Sequence, residues 1–205
     1  MARDLMPITK RSRREKIALH PKAIKIMARK SYGPGEHGQA NTRSKPSQYA
    51  IQLREKQKVK RIYGLLEKQF VRLSSEAVRK SDVTGDVILQ LLEQRFDNAV
   101  YRVGLAPSRQ AARQLVTHGH FLLNNRRVDI PSIRLKPGDE FIVRPKSQKN
   151  VYFQALAPEL KANQNKISWL SLDAKRLAVK VTGTPGPDDA EQDINVQLII
   201  EFYSR

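Results

Sequence analysis

Between Leu91 and Arg144 the chain reads LLEQRFDNAVYRVGLAPSRQAARQLVTHGHFLLNNRRVDIPSIRLKPGDEFIVR, and its punctuation leaves few folds open. Ile88, Leu91, Leu92, Phe96, Ala99 and Val103 recur at helical spacing. A turn over Val83 to Asp86, containing Gly85, precedes them, and Gly104 is a natural stop. The spacing therefore predicts a helix over 86–103. Ser108 can cap a second helix over 109–118, with Ala112, Leu115 and Val116 inside and Gly119 at its end. Phe121 to Leu123 then reads as a strand, Asn124-Asn125 as a tight turn, and Glu140 to Val143 as a strand after the turn Lys136-Pro137-Gly138-Asp139. Pro131 confines the residues between to an edge strand or an irregular stretch. Two helices packed on a few short antiparallel strands satisfy this pattern.

The same block is rich in cations. Arg95, Arg102, Arg109, Arg113, His118, Asn125, Arg126 and Arg127 all belong to it, and Arg109 and Arg113, four residues apart, share a helix face. Taken singly, Arg95 has a blander reading as an ion pair with Glu93 or Asp97, and Arg126 and Arg127 as solubilising turn residues. The whole chain of 205 residues carries 38 Lys and Arg against 20 Asp and Glu, a formal net charge of +18. That much like charge calls for a polyanionic partner. Aromatics are only 6% of the residues, so phosphate contacts are expected to outweigh base stacking. Arginine adds planar, bidentate phosphate recognition that lysine lacks. Fixed guanidinium groups on a small rigid module suit a folded RNA backbone.

The flanks extend this reading. Residues 1–46 are expected to be irregular, either a basic arm ordered by its partner or a solvated basic tail, with Arg13 and Arg14 in the densest run and Gly33-Pro34-Gly35 and Gly38 as breakers. Residues 47–80 predict one long amphipathic helix or a pair, with Ser47 as N-cap and Val59, Ile62, Tyr63, Leu66, Phe70 and Leu73 on one face. On a continuous helix Arg54, Lys58, Arg61, Lys68 and Arg72 fall on one stripe, with Glu55 and Glu67 off it, as a phosphate-tracking face requires. A short helix over 154–162, a hairpin from 168–172 and 177–181, and a loop over 182–189 follow. Ile194 to Phe202 fits a strand and a helix equally. The fold class is α+β: a mostly helical domain with an inserted helix–helix–β module of short antiparallel strands. The expected divisions are an arm at 1–46, a helical domain at 47–90 completed by 190–205, the module at 91–155, and a helix-and-hairpin extension at 156–189.

Several classes find no support in the residues. No spaced acidic pair or nucleophile–base set stands out, and no Walker-type loop occurs. GPGEHG over 33–38 lacks a preceding strand and a following Lys-Ser or Lys-Thr, so it reads weakly as a nucleotide loop. With no cysteine, His37, His118 and His120 make a poor metal set, and neither metal, cofactor nor small-molecule substrate is expected. No apolar run approaches a membrane span and the N-terminus lacks a signal-peptide core, so a soluble intracellular protein is expected.

Specific segments go further. SRRE at 12–15, PGEHG at 34–38, QLREKQKVKRIYG at 52–64, LEKQF at 66–70, RFDNAVYRVG at 95–104, SRQAARQLVTHG at 108–119, WLSLDA at 169–174 and IIEFYSR at 199–205 resemble, in order, the bacterial ribosomal protein S-four family. The resemblance covers essentially the whole chain. It implies a non-enzymatic component of the small ribosomal subunit, located with the ribosome in the cytoplasm, that binds the 5′ domain of small-subunit ribosomal RNA at a helix junction early in assembly. It implies protein S-five as a neighbour that affects decoding accuracy, and protein S-three and messenger RNA as partners where the messenger enters. Many members hold zinc through an N-terminal cysteine cluster; this chain has none, so no zinc is implied. The alternative reading is an RNA-modifying or tRNA-charging enzyme that carries the same module, but the flanks show no catalytic residues.

Overall fold

The basic N-terminal stretch is not irregular: it forms helices α1 (Ile8–Glu15) and α2 (Pro21–Arg29). The periodicity of apolar residues missed α1 because the residues it buries are Arg11, Ser12 and Glu15. The Ser12 hydroxyl donates to Ile8 O at 2.9 Å and accepts from Leu19 N at 3.3 Å, which ties the helix to the loop after it. His20 caps α2 by accepting from Lys22 N at 3.1 Å. A computed structural model describes residues 6–39, 45–80, 82–161 and 167–204. They fall into two units, Met1–Gly85 with Asp193–Arg205, and Asp86–Gln192.

In the first unit, Ser47 caps α3 (Gln48–Ile62), its hydroxyl accepting from Ala50 N at 3.3 Å. Gly64, at φ +63°, turns the chain into α4 (Glu67–Val78). The stretch 47–80 is thus a pair of helices, and the single stripe drawn on a continuous helix is divided between them. Val59, Ile62, Tyr63, Phe70 and Leu73 are buried as their spacing required, while Leu66 of the same expected face is only half-buried and its neighbour Leu65 is buried. The last segment is a helix, which settles the ambiguity at 194–202. It is the final helix of the chain, Val196–Tyr203, and packs on α3. Ile199 is fully buried, Phe202 lies 5.8 Å from the Tyr49 ring, and Gln52 donates to Glu201 at 2.8 Å. Gly85 is not a turn residue. It sits in the first turn of α5 (Thr84–Glu93), where a Cβ would stand 3.2 Å from Val196 Cγ1.

The second unit corrects one expectation and extends another. The helix expected over 86–103 is two helices, α5 and α6 (Phe96–Arg102), separated by Arg95 in an extended conformation. No glycine or proline marks this break. It is made by pairing with the 131–135 segment: Phe96 N donates to Ile133 O at 2.8 Å, Asp97 N to Pro131 O at 3.1 Å, and Leu135 N to Gln94 O at 2.9 Å. Helix α7 (Arg109–Thr117) is capped by Ser108 and closed by Gly119 at φ +69°. The strands are β1 (Phe121–Leu123), β2 (Arg126–Val128), β3 (Glu140–Val143), β4 (Leu170–Asp173) and β5 (Ala178–Val181). They form one antiparallel sheet in the order β2-β1-β3-β5-β4, so the late hairpin completes the sheet of the helix–helix block. Helices α8 (Pro145–Gln148) and α9 (Val151–Lys161) connect β3 to β4. The helix expected over 154–162 begins three residues earlier, and Ala162 lies outside the described residues. The final helix is α10. Phe96 anchors the core, meeting Phe121 and Phe141 edge-on at 5.7 and 5.1 Å.

Candidate nucleic-acid interface

Helices α6 and α7 pack together with Ala99, Ala112, Val116 and the following Val103 buried, and their arginines Arg102, Arg109 and Arg113 half-buried. Those arginines are held by an ordered polar network. Arg95 is buried and grips Asp97 with two bonds, Nε to Oδ1 at 3.0 Å and Nη2 to Oδ2 at 2.9 Å. Arg113 approaches the same Asp97 at 3.7 Å. Arg102 grips the fully buried Glu93 at 2.8 and 2.7 Å. Arg109 donates from Nε to Asn98 Oδ1 at 2.8 Å and from Nη2 to Glu191 at 2.6 Å, with its guanidinium carbon 4.5 Å above the Tyr101 ring. Asn98 closes the circuit by donating to Glu93 at 2.8 Å. Bidentate, charge-assisted bonds of this kind fix the guanidinium planes.

A second group gathers at the far end of α7. Asn124 and Asn125, at φ +48° and +64°, form the left-handed turn between β1 and β2. The Asn124 side chain ties that turn to β3 by donating to Asp139 at 2.9 Å and accepting from Glu140 N at 3.0 Å. Asn125, Arg126 and Arg127 are exposed beside it. Arg127 lies against Gly119, where a Cβ would stand 2.6 Å from its Nε. Arg144 donates to Gly119 O at 2.9 Å, and His118 is exposed one residue before it. Burial, the nearby His118 and Arg144 lower the basicity of His120, which contacts the Ser147 hydroxyl at 2.9 Å.

The first unit treats its basic residues in two ways. Arg14, Lys68 and Arg72 are exposed. Arg54 and Arg61 instead turn inward to Glu15 of α1, which is almost fully buried. Burial pushes the Glu15 carboxyl up, while Arg61 and Arg54 pull it down. Lys58 bonds Glu55 at 3.2 Å and also the Asp193 carbonyl. Arg13 donates to the carbonyls of Tyr32 and Gly33 at 3.0 and 2.9 Å and stacks on the Tyr32 ring at 4.8 Å. The entry to the GPGEHG loop thus offers the Tyr32 and Gly33 carbonyls to a cation, which is no feature of a phosphate cradle.

Of the residues expected to form the interface, the fold gathers Arg109 and Arg113 on one helix and His118, Asn125, Arg126 and Arg127 at the hairpin corner, while Arg95 is buried in its ion pair with Asp97, the blander reading of that residue. It sets Arg13, Arg54, Lys58 and Arg61 in internal contacts. Sequence reasoning offered Asp97 as a partner for Arg95, which is the pair the fold makes, but missed Arg144, Glu191 and the part of Glu93 in holding Arg102. Arg144 had one local signal, its place directly after β3; Glu191 had none, because 82 residues separate it from Arg109. Among the described residues no group of three or more His, Asp or Glu is placed to hold a metal, and no helix is long and apolar enough to cross a membrane.

Comparison with known proteins bears on what this surface serves. Residues 3–93 match the family model described as ribosomal protein S4/S9 N-terminal domain, and residues 94–141 match the S4 domain. The chain is 47% identical over 206 residues to small ribosomal subunit protein uS4 of Chloroflexus aurantiacus, covering all of both chains. It is 48% identical over 207 residues to uS4 of Chlorobaculum parvum and 46% over 213 residues to uS4 of Thermus thermophilus, again over all of both chains.

Proposed function

The chain belongs to the family of small ribosomal subunit protein uS4, and on that footing we propose that it is a structural, non-enzymatic component of the small ribosomal subunit that binds its ribosomal RNA. Full-length similarity to proteins of that name carries the reading. The network of arginines on α6 and α7 supports it, because guanidinium groups oriented before binding lose little freedom on meeting phosphate. The target is the 5′ domain, at a junction of several helices. By neutralising phosphates that repel one another there, the protein holds one junction fold and lowers the cost of later assembly steps. Proteins S-five and S-three are its neighbours, contact with S-five affects decoding accuracy, and the basic surface meets messenger RNA where it enters the subunit.

Hydroxyl-radical footprinting of the purified chain on small-subunit ribosomal RNA tests this. Protection confined to the 5′ domain is expected. Protection spread evenly over the RNA, or none, refutes the reading.

A further inference from the structure

Glu191 stands apart from the other acids of the arginine network. Glu93 is completely buried and Asp97 nearly so, and they sit within helices, at the end of α5 and the start of α6. Glu191 comes from the loop between the turn at Pro187–Asp189 and α10, and its side chain is 31% exposed. One carboxylate oxygen, Oε1, receives Arg109 Nη2 at 2.6 Å and faces Arg102 Nη1 at 3.7 Å. Neither arginine needs Glu191 to hold its orientation. Arg109 is also fixed by Asn98 and by the Tyr101 ring, and Arg102 by both oxygens of Glu93. An anionic oxygen between two braced guanidinium groups is the environment that a phosphodiester oxygen selects.

We propose that Arg102 and Arg109 form a subsite for one backbone phosphate of the RNA, and that the Glu191 carboxylate fills this subsite until RNA displaces it. The inference rests on the RNA-binding reading above and deepens it, for Glu191 then acts as an internal competitor that sharpens selection. An RNA able to offer a phosphate at that point, together with the rest of the interface, expels the carboxylate. An RNA of the wrong shape leaves the pair closed. Glu191 lies in the short stretch without helix or strand between Asp189 and α10, so its side chain can turn away while β5 and α10 stay in place.

The test is Glu191→Gln in the full chain, which keeps the shape and removes the charge. The probe is a transcript of the 5′ domain of small-subunit ribosomal RNA, with filter binding over a series of salt concentrations. Asp188→Asn makes the same change of charge three residues away and serves as the control. Glu191→Gln is expected to bind about fivefold tighter, the size of one exposed charge pair. Its salt slope is expected to match the wild type's, because both chains make the same phosphate contact once RNA is bound. An unchanged or weaker affinity, or an equal gain in Asp188→Asn, overturns the proposal. Hydrogen exchange in the wild-type chain reads the same event without substitution. Amides over 187–195 are expected to exchange faster once RNA is bound; unchanged or slower exchange overturns it. A wild-type chain that grips an unrelated duplex as tightly as the transcript overturns the proposed function, and this inference with it. Specific binding with Glu191→Gln unmoved overturns this inference alone.

Discussion

Asp97 shows how much one side chain can organise. It accepts both donors of Arg95, faces Arg113 at 3.7 Å and accepts from Asn98 N at 3.0 Å. Asp97→Asn would leave the buried Arg95 with half its partner and no counter-charge. We expect a loss of about 3–5 kcal/mol, as when one member of a buried pair is removed, read from urea denaturation. A loss near zero would mean that the network adds little to stability. Glu191 offers a pH test. Burial raises its pKa, but Arg109 and Arg102 outweigh this and hold the carboxyl below its ordinary value. A carboxyl lowered by folding contributes stability above the unfolded pKa, about 4.3, and loses it as pH falls through the folded value. Thermal melts below about pH 4.3 should therefore show a smaller acid loss in Glu191→Gln than in the wild type. Equal losses would exclude a linked pair.

At the scale of elements, contacts from elsewhere in the chain choose between helix and strand. α10 is helical because that places Ile199 against α3 and stacks Phe202 and Tyr203 around the Lys56 ammonium, 4.5 and 5.9 Å from their rings. A strand would send alternate side chains to opposite faces and break up this cluster. Lys56 also bonds Glu67 at 2.6 Å, and Tyr203 donates to the same carboxylate at 3.3 Å. Burial, and then the acid, push the Tyr203 hydroxyl well above its ordinary pKa. Ile199→Ala should cost about 2–5 kcal/mol by emptying this contact, as a shift in the urea midpoint would show. A cost under about 1 kcal/mol would mean that α10 packs loosely on α3.

Across the whole molecule, a net charge of +18 is what a polyanion meets first. The fold then sorts it. Some cations, such as Arg54 and Arg61, neutralise internal acids, and others, such as Lys68, Arg72, Arg126 and Arg127, face solvent. The salt dependence of RNA binding should therefore report the exposed set and not the full charge. If about six phosphates are contacted, affinity should fall roughly a thousandfold between about 50 and 200 mM salt. A nearly flat log–log plot would exclude an interface built on phosphates.

Within the module expected at 91–155, the amino-acid order alone determined α7, the turn at Asn124-Asn125 and strands β1 and β3. Their signals are local: Ser108 supplies a cap within three residues, Gly104 and Gly119 accept positive φ, and Asn124-Asn125 closes a turn between adjacent strands. The tertiary structure alone decided what depends on distant partners. The break at Arg95 needs the 131–135 segment, α1 is held by burial of polar residues, α10 needs α3, and Glu191 reaches Arg109 across 82 positions. Periodicity records how a segment divides apolar from polar residues. It cannot record which carboxylate each arginine will meet, because that depends on the folded path of the rest of the chain.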